Sequence, residues 1–306
     1  MATPSRVLVV KGSPATSSSC SEIGVIFGSI VVPENCRERW QNVAMGEGVL
    51  LGGVANAGLV TRDGRYVLRP SNDHSRSIHR FLISLRDLGF AGASVPVGIE
   101  VDKRERLLFI EGDVPLPAYP PWAQRDDALA SVADLMRGFH AASRLFDPAG
   151  STWSDEMADH VGGPVVCHND VCLENVVFRD GTAVGLLDFD FAAPGRPVYD
   201  LAQFARMCVP IDDEVNAGRL GWLPANSPAR LRLIADTYGL DAAGRHELLA
   251  ILADAMEHGG AFLRRRVEAG DPNFIKMWDD MGGAQRFDRR RLWWTEHHDR
   301  FAGVLR

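Results

Sequence analysis

The segment "VCHNDVCLENVVFRDGTAVGLLDFD", residues 166–190, alternates short apolar runs with acidic and amide side chains. Its apolar runs, at 165–167, 176–178 and 184–187, are typical of short buried strands joined by turns. Polar residues stand at the ends of these runs: His168, Asp170, Asn175, Asp188 and Asp190. Since functional side chains concentrate on the loops that strands position, the segment predicts a single site made from these residues.

The residue types in this segment suit phosphoryl transfer. An aspartate just beyond a strand end, such as Asp170, is partly exposed and can take a proton from a hydroxyl group. The amide oxygen of Asn175 and the carboxylate of Asp188 would form an all-oxygen site for a hard cation such as Mg²⁺. A base and bound magnesium, with a glycine turn elsewhere, are the equipment of phosphoryl transfer. The alternative is that Asp170 and Asn175 are only turn and cap residues.

The motifs "HNDVCLEN" and "LLDFD" resemble the catalytic and metal-binding motifs of the aminoglycoside phosphotransferase family. This kinase-like family also includes choline, homoserine and macrolide kinases, and the resemblance covers roughly residues 46–300. It implies that Asp170 is the catalytic base, that His168 braces the loop, and that Asn175 and Asp188 hold Mg²⁺.

Two further aspartates take their interpretation from the same resemblance. Asp190 is a third candidate at the metal. Asp200 resembles the structural aspartate that ties the next helix to the catalytic loop. Read from the residues alone, Asp200 is either a helix N-cap or a brace for that loop.

The first half of the chain predicts a small sheet. Residues 49–70 suit three strands, with Gly52 and Gly53 in the first turn and Asp63-Gly64 joining the last pair. Residues 95–101 and 106–111 suit two more strands around a charged turn, Asp102–Arg106. The helix before them has apolar residues at helical spacing and a glycine stop: Ile78, Phe81, Leu82, Leu85, Leu88 and Gly89.

The second half predicts a mainly helical lobe. Prolines at 115, 117, 120 and 121 suit a linker, and a long helix is expected over roughly 124–145. Further helices are expected near 198–208, 228–238 and 243–268, before a tryptophan-rich tail. We therefore expect an α+β, protein-kinase-like fold with a five-stranded antiparallel sheet lobe over 45–113 and a helical lobe over 114–306. Residues 1–44 are interpreted as a poorly ordered or atypical extension, with Met45 as an alternative start.

The nucleotide-binding residues depart from the usual kinase pattern. Arg69 stands where these enzymes carry a lysine on the third strand, and a guanidinium can bind phosphate oxygens in a bidentate manner. No acid occurs between Asp73 and Asp87 to serve as the helix glutamate, and His79 occupies that region. Gly52, Gly53 and Asn56 are candidates for a phosphate-binding turn. The donor is expected to be ATP or GTP, without a choice between them.

The composition of the chain limits the classes of partner and the cellular location that are expected. The net charge of −7 and the absence of a basic stretch argue against a nucleic-acid partner or an anionic membrane surface. No apolar run approaches the roughly 20 residues needed to span a bilayer. A cytoplasmic monomer or homodimer is expected, with its five cysteines reduced.

The acceptor is left open by the sequence. Residues 211–306 hold 15 acidic against 14 basic side chains, which gives no special attraction for a polycation such as an aminoglycoside. The cluster Asp212, Asp213 and Glu214 could line an acceptor site or be a solvated loop. The leading hypothesis is a Mg²⁺-dependent O-phosphotransferase that acts on a hydroxyl of a sugar, an aminoglycoside-like antibiotic, a nucleoside or an amino-alcohol. The alternatives are a catalytically degenerate kinase-like nucleotide-binding protein and a metal-dependent hydrolase or nuclease.

Overall fold

The computed structural model describes residues 24–26, 29–31, 48–50 and 59–306. Two short antiparallel strands, β1 (Gly24–Ile26) and β2 (Ser29–Val31), come first. The interpretation of 1–44 as a poorly ordered extension and the glycine turn at Gly52, Gly53 and Asn56 otherwise lie outside the described residues.

A five-stranded antiparallel sheet forms the first lobe, in the order β3-β4-β5-β7-β6. Its strands are β3 (Gly48–Val49), β4 (Thr61–Asp63), β5 (Tyr66–Pro70), β6 (Pro96–Ile99) and β7 (Arg104–Leu108). Helix α1 (Ser75–Asp87) lies between β5 and β6 along the chain, so the predicted order of strands and helix is confirmed.

The two tight turns of this sheet differ from the prediction by one or two residues. The β4–β5 turn consists of Gly64 and Arg65, and Gly64 has a φ of 57° that an L side chain rarely adopts. Strand β7 begins at Arg104, inside the segment predicted to be a turn. The misplacement matters because it hid the partner of Arg69, which is Glu105.

Helix α1 packs its predicted apolar face inward and ends as expected. Ile78, Phe81, Leu82 and Leu85 are buried. Leu88 belongs to the helix cap instead of the buried face and is 38% exposed. Gly89 follows with a φ of 90°, which confirms it as the stop.

The second lobe is built around α2 (Asp126–Ser143). Four short strands follow it: β8 (Val165–Cys167) pairs with β11 (Ala193–Gly195), and β9 (Val176–Arg179) pairs with β10 (Thr182–Leu186). The remaining helices are α3 (Pro197–Cys208), α4 (Glu214–Arg219), α5 (Ser227–Tyr238), α6 (Ala242–Glu268), α7 (Pro272–Asp280) and α8 (Gly283–Val304). Helix α2 is shorter than the helix predicted over roughly 124–145, because the 3₁₀ turn Pro121–Gln124 precedes it.

A cluster of aromatic rings joins the two lobes beneath the opening segment. Phe189 lies 6.4 Å from Phe81 of α1 and 5.8 Å from Phe139 of α2, measured between ring centroids. Phe189 also contacts His168, with 4.5 Å between ring centroids. Because Phe189 is flanked by Asp188 and Asp190, the packing of this one ring fixes where those two carboxylates emerge.

None of the described helices combines the length and the apolar character that crossing a bilayer requires.

Candidate active site

The loop that follows β8 is held by one buried carboxylate. Asp200, in the first turn of α3, accepts hydrogen bonds from the backbone N–H groups of His168 and Asn169, both at 2.8 Å. His140 of α2 contacts the same carboxylate through Nε2 at 2.9 Å. Arg196 is the N-cap of α3, so the structure places Asp200 as a brace for the loop and not as a helix cap.

His168 is an internal strut of the loop. Its Nδ1 accepts from the backbone N–H of Asp170 at 3.3 Å, and its Nε2 lies 2.8 Å from the carbonyl oxygen of Leu187. Only the neutral tautomer with the proton on Nε2 satisfies both contacts. Burial lowers the pKa of His168, which favours that neutral form. His168 thus links the Asp170 loop to the strand that leads into Asp188.

Asp170 and Asn175 are brought into direct contact. The side-chain amide of Asn175 donates to the Asp170 backbone oxygen at 2.9 Å and to its carboxylate Oδ2 at 3.0 Å. Within the described residues no donor engages the Oδ1 atom of Asn175. Burial and then the charge of Asp188 raise the pKa of Asp170 to about 8. The environment therefore makes Asp170 a much stronger base than an exposed carboxylate.

Asp188 and Asp190 converge on Arg69 across the two lobes. Asp188 has a φ of 60°, a left-handed conformation at the end of β10 that turns the chain. Arg69 Nη1 binds Asp188 Oδ1 at 2.9 Å, and Nη2 binds Asp190 Oδ1. Although burial alone would raise the pKa of Asp188, the charge of Arg69 holds that pKa below its ordinary value. Burial and the charge of Asp188 instead raise the pKa of Asp190 to about 7.

Glu105 of β7 completes this network, and sequence reasoning did not find it. Arg69 and Glu105 lie directly opposite each other in neighbouring strands, and Arg69 Nε donates to Glu105 Oε2 at 2.8 Å. The side chains are 10% and 3% exposed. Helix α1, which supplies the acidic partner in the usual kinase pattern, has no acid at this point. Its His79 instead lies 3.7 Å from Oε1 of Glu105. Had β7 been placed two residues earlier, the strand register would have pointed to this pair.

The cluster holds more acidic groups than its own cation can pair with, and this crowding contributes to the raised pKa values of Asp170 and Asp190. Asp170, Asp188 and Asp190 act on one another, while a single guanidinium, Arg69, is hydrogen-bonded to two of them. Of these two carboxylates Arg69 engages one oxygen each, Oδ1, and makes no hydrogen bond to Oδ2 of Asp188 or Oδ2 of Asp190. Together with the free Oδ1 of Asn175, these oxygens are the donor set that a hard divalent cation prefers. The residues therefore fit a Mg²⁺ site.

The acidic cluster of the sequence lies in a different environment. Asp212 is within 3.4 Å of Arg286 and 3.8 Å of Arg290, and Asp213 caps α4 and lies 3.5 Å from Arg289. Glu214 is exposed. Asp212 and Asp213 are therefore already matched by arginines.

Comparison with known proteins decides the family. The model of the phosphotransferase enzyme family matches residues 151–234, which contain the loop, Asn175 and both aspartates after β10. The trifolitoxin immunity protein of Rhizobium leguminosarum bv. trifolii is 34% identical over 192 residues, 61% of this chain and 72% of that protein. The chain belongs to the phosphotransferase enzyme family. The predicted enzyme class, a phosphotransferase with an alcohol acceptor, is confirmed by this membership.

Solved structures confirm the predicted fold of this phosphotransferase family member. A choline/ethanolamine kinase family protein from Mesorhizobium loti has a TM-score of 0.58 at 16% identity and covers 85% of this chain and 92% of its own. A variant of an aminoglycoside phosphotransferase, in complex with GDP, has a TM-score of 0.54 at 13% identity, with coverages of 86% and 97%. Both similarities support the predicted α+β, protein-kinase-like architecture.

Proposed function

We propose that this protein is a Mg²⁺-dependent O-phosphotransferase that moves the γ-phosphoryl group of ATP or GTP to a hydroxyl of a small molecule. The observation that carries the proposal is the meeting of two pairs, Asp170 with Asn175 and Asp188 with Arg69 of the sheet lobe. His168 joins them, since it contacts the Asp170 backbone N–H and the Leu187 carbonyl oxygen next to Asp188. Structural aspartates scattered over the surface would not share a single charge-coupled cluster.

The roles of the residues follow from their contacts. Asp170 is the base: it accepts the proton of the acceptor hydroxyl while that oxygen forms the new bond to phosphorus and the nucleoside diphosphate leaves. Asn175 orients the Asp170 carboxylate through its amide hydrogen bond. His168 and Asp200 keep the loop in place and take no part in proton transfer.

Asn175 and Asp188 would hold Mg²⁺, with Asp190 beside them. When bound, the cation would neutralise charge on the nucleotide phosphates and on the three aspartates. Arg69, now tied to Asp188 and Asp190, is the cation from the sheet lobe that would engage the phosphates. Gly52, Gly53 and Asn56 remain candidates for the turn that covers these phosphates, and the lobes over 45–113 and 114–306 would enclose the nucleotide between them.

Two comparisons support this proposal. One neighbour in fold binds GDP, a product of transfer from GTP. The Rhizobium relative is named for immunity to trifolitoxin. An enzyme that phosphorylates a toxic compound at a hydroxyl would confer immunity, so a protective role for this chain is part of the proposal.

Nucleotide binding provides the direct test. Calorimetric titration of ATP and GTP, each with and without Mg²⁺, is expected to show saturable binding of at least one nucleotide that strengthens at least about tenfold with magnesium. The nucleotide with the tighter magnesium-dependent binding would be identified as the donor. Absence of binding for both nucleotides would contradict the proposal.

A degenerate, non-catalytic protein is the second candidate, and one observation favours it. Arg69 replaces the usual lysine, and its two terminal nitrogens donate to Asp188 and Asp190. These two aspartates are the residues that would otherwise bind the cation. Such a protein would bind nucleotide without converting it. Release of nucleoside diphosphate under saturating Mg²⁺–nucleotide distinguishes the two candidates, because only the enzyme produces it.

Glu105 is expected to position Arg69, and Glu105→Gln tests this. The variant keeps the size of the side chain but removes the charge from a buried pair, so the free energy of unfolding should fall by about 1.5–3 kcal/mol. Mg²⁺–nucleotide affinity should fall as well, since Arg69 loses an anchor. Chemical denaturation and calorimetry measure the two effects. Glu100→Gln is the matched control, because Glu100 is 41% exposed and, among the described residues, its side chain pairs with Arg106 alone. Equal effects in both variants would contradict the role of Glu105.

A further inference from the structure

Arg206 of α3 has a charge that no carboxylate pairs with in the described part of the chain. Its Nε donates to Gln203 of the same helix. Its guanidinium lies against Gly259 of α6, where an added Cβ would come 2.8 Å from Nη1 and 2.9 Å from Cζ. Nη1 and Nη2 have no hydrogen-bond partner among the described residues. The absence of a side chain at residue 259 thus provides the space that this cation occupies.

Arg206 belongs to the same electrostatic environment as the base. The charge of Arg206 opposes the rise in the pKa of Asp170, and the charge of Asp170 opposes the fall in the pKa of Arg206 that burial causes. The backbone oxygen of Arg206 also accepts from Arg290 Nη2 at 3.0 Å. Two residues further along α3, the Cys208 thiol donates to the backbone oxygen of Val171 in the catalytic loop at 3.6 Å. This part of α3 therefore lies between the catalytic loop and the arginines of α8.

Arg219 of α4 is a second arginine for which the described residues provide no carboxylate partner. Its Nη1 is buried and makes no hydrogen bond within the described residues. Its Nη2 would lie 3.4 Å from a Cβ at Gly282, the residue that precedes α8. Arg286 is an electrostatic neighbour of both arginines: its charge lowers the pKa of Arg206, and the charge of Arg219 lowers the pKa of Arg286. Burial lowers the pKa of Arg286 to about 10, so it is still charged at neutral pH.

The carboxylates near these arginines are already engaged. Asp212 lies near Arg286 and Arg290, while Asp213 caps α4 and lies near Arg289. Glu174, in the same loop as Asp170, accepts from the hydroxyl of Tyr119 at 3.0 Å. The arginine group consists of Arg206, Arg219, Arg286, Arg289 and Arg290. Asp212 and Asp213 lie within ion-pair distance of it, and the charges of Asp170 and Glu257 also act on it, so the five cations still outnumber these four carboxylates. The excess of positive charge would repel a polycation and attract an anion.

We propose that the acceptor carries an anionic group, a carboxylate or a phosphate, beside the hydroxyl that receives the phosphoryl group, and that Arg206 binds this anion with help from Arg219. The inference rests on the proposed phosphotransferase function. A guanidinium with two free terminal nitrogens binds an oxyanion in a bidentate manner. With the anion held there, the hydroxyl would reach Asp170, which takes its proton as the oxygen–phosphorus bond forms and the nucleoside diphosphate leaves.

Anion binding in solution tests the inference without a known acceptor. Malonate and inorganic phosphate, as carboxylate and phosphate probes, are titrated into protein saturated with a non-hydrolysable Mg²⁺–nucleotide. The ¹⁵N–¹H signal of Arg206 Nε, assigned by its absence from Arg206→Gln, reports the binding. One probe is expected to shift this signal saturably in the wild type, and the stronger probe identifies the anion class. Absence of a saturable shift with both probes would overturn the inference.

Variants locate the bound anion. Calorimetric affinity for the stronger probe is expected to fall at least about tenfold in Arg206→Gln, less in Arg219→Gln, and not at all in Arg137→Gln, an exposed arginine of α2. Equal affinity in Arg206→Gln and the wild type would overturn the inference. Nucleotide affinity is measured on the same samples. A wild-type protein that binds no nucleotide would contradict the phosphotransferase function. A wild-type protein that binds nucleotide normally but binds neither anion would contradict only the anionic acceptor.

Discussion

Asp170→Asn is expected to slow phosphoryl transfer by about 10²–10⁴-fold while Mg²⁺–nucleotide affinity stays within about threefold of the wild type. Asparagine preserves the size of the side chain and can still accept from the Asn175 amide, but it cannot take the hydroxyl proton. The pKa of about 8 for Asp170 indicates a carboxylate whose environment strengthens it as a base, so the loss should be large. Release of nucleoside diphosphate, with water as acceptor until a better one is known, measures the rate.

Asp180→Asn is the matched control for this variant. Asp180 lies exposed in the β9–β10 turn, and its φ of 53° is one that asparagine tolerates. The same change of charge at that turn should leave both the rate and the nucleotide affinity unchanged. Full activity of Asp170→Asn would refute the assignment of the base, and a parallel loss of nucleotide affinity would mean that Asp170 serves the metal site instead.

The fold was predictable because its signals are local. Apolar periodicity lies within the helix or strand that it predicts, and turn residues such as Gly64 and Gly89 lie within a few residues of the element that they end. The close approach of Asp170 to Asn175 is likewise contained in one loop, where the two residues are five positions apart. The boundaries were less accurate, since the start of β7 depends on its pairing with β5 and not on its own sequence.

The contacts that tie the site together were not predictable in the same way. Arg69 and Glu105 are 36 residues apart, and nothing in the sequence around either residue indicates the other as its partner. Arg69 meets Asp188 over a separation of 119 residues, so a residue assigned to phosphate binding was found paired with the candidate metal ligand. Asp200 had two open interpretations until the N–H groups of the loop were seen to point at it. Charge pairing of this kind depends on the tertiary fold, which local patterns do not encode.

Asp188→Asn is expected to abolish the magnesium-dependent part of nucleotide affinity, with a loss of at least about 100-fold in the presence of Mg²⁺. The variant removes the charge that the cation needs, while asparagine still accepts the left-handed conformation at a φ of 60°. Alanine would lose the charge too, but it would add backbone strain at this position. Affinity without Mg²⁺ should change little, because Arg69 keeps Glu105 and Asp190 as partners.

Asp190→Asn distinguishes a metal ligand from an anchor of Arg69. Asp190 contacts Arg69 as Asp188 does, and its pKa of about 7 shows that it holds its charge less firmly. If Asp188 is the principal ligand, calorimetry with and without Mg²⁺ should show a smaller loss for Asp190→Asn than for Asp188→Asn. Equal losses would make both carboxylates ligands. A variant at Asp188 that binds Mg²⁺–nucleotide like the wild type would contradict the role of Asp188 as a metal ligand.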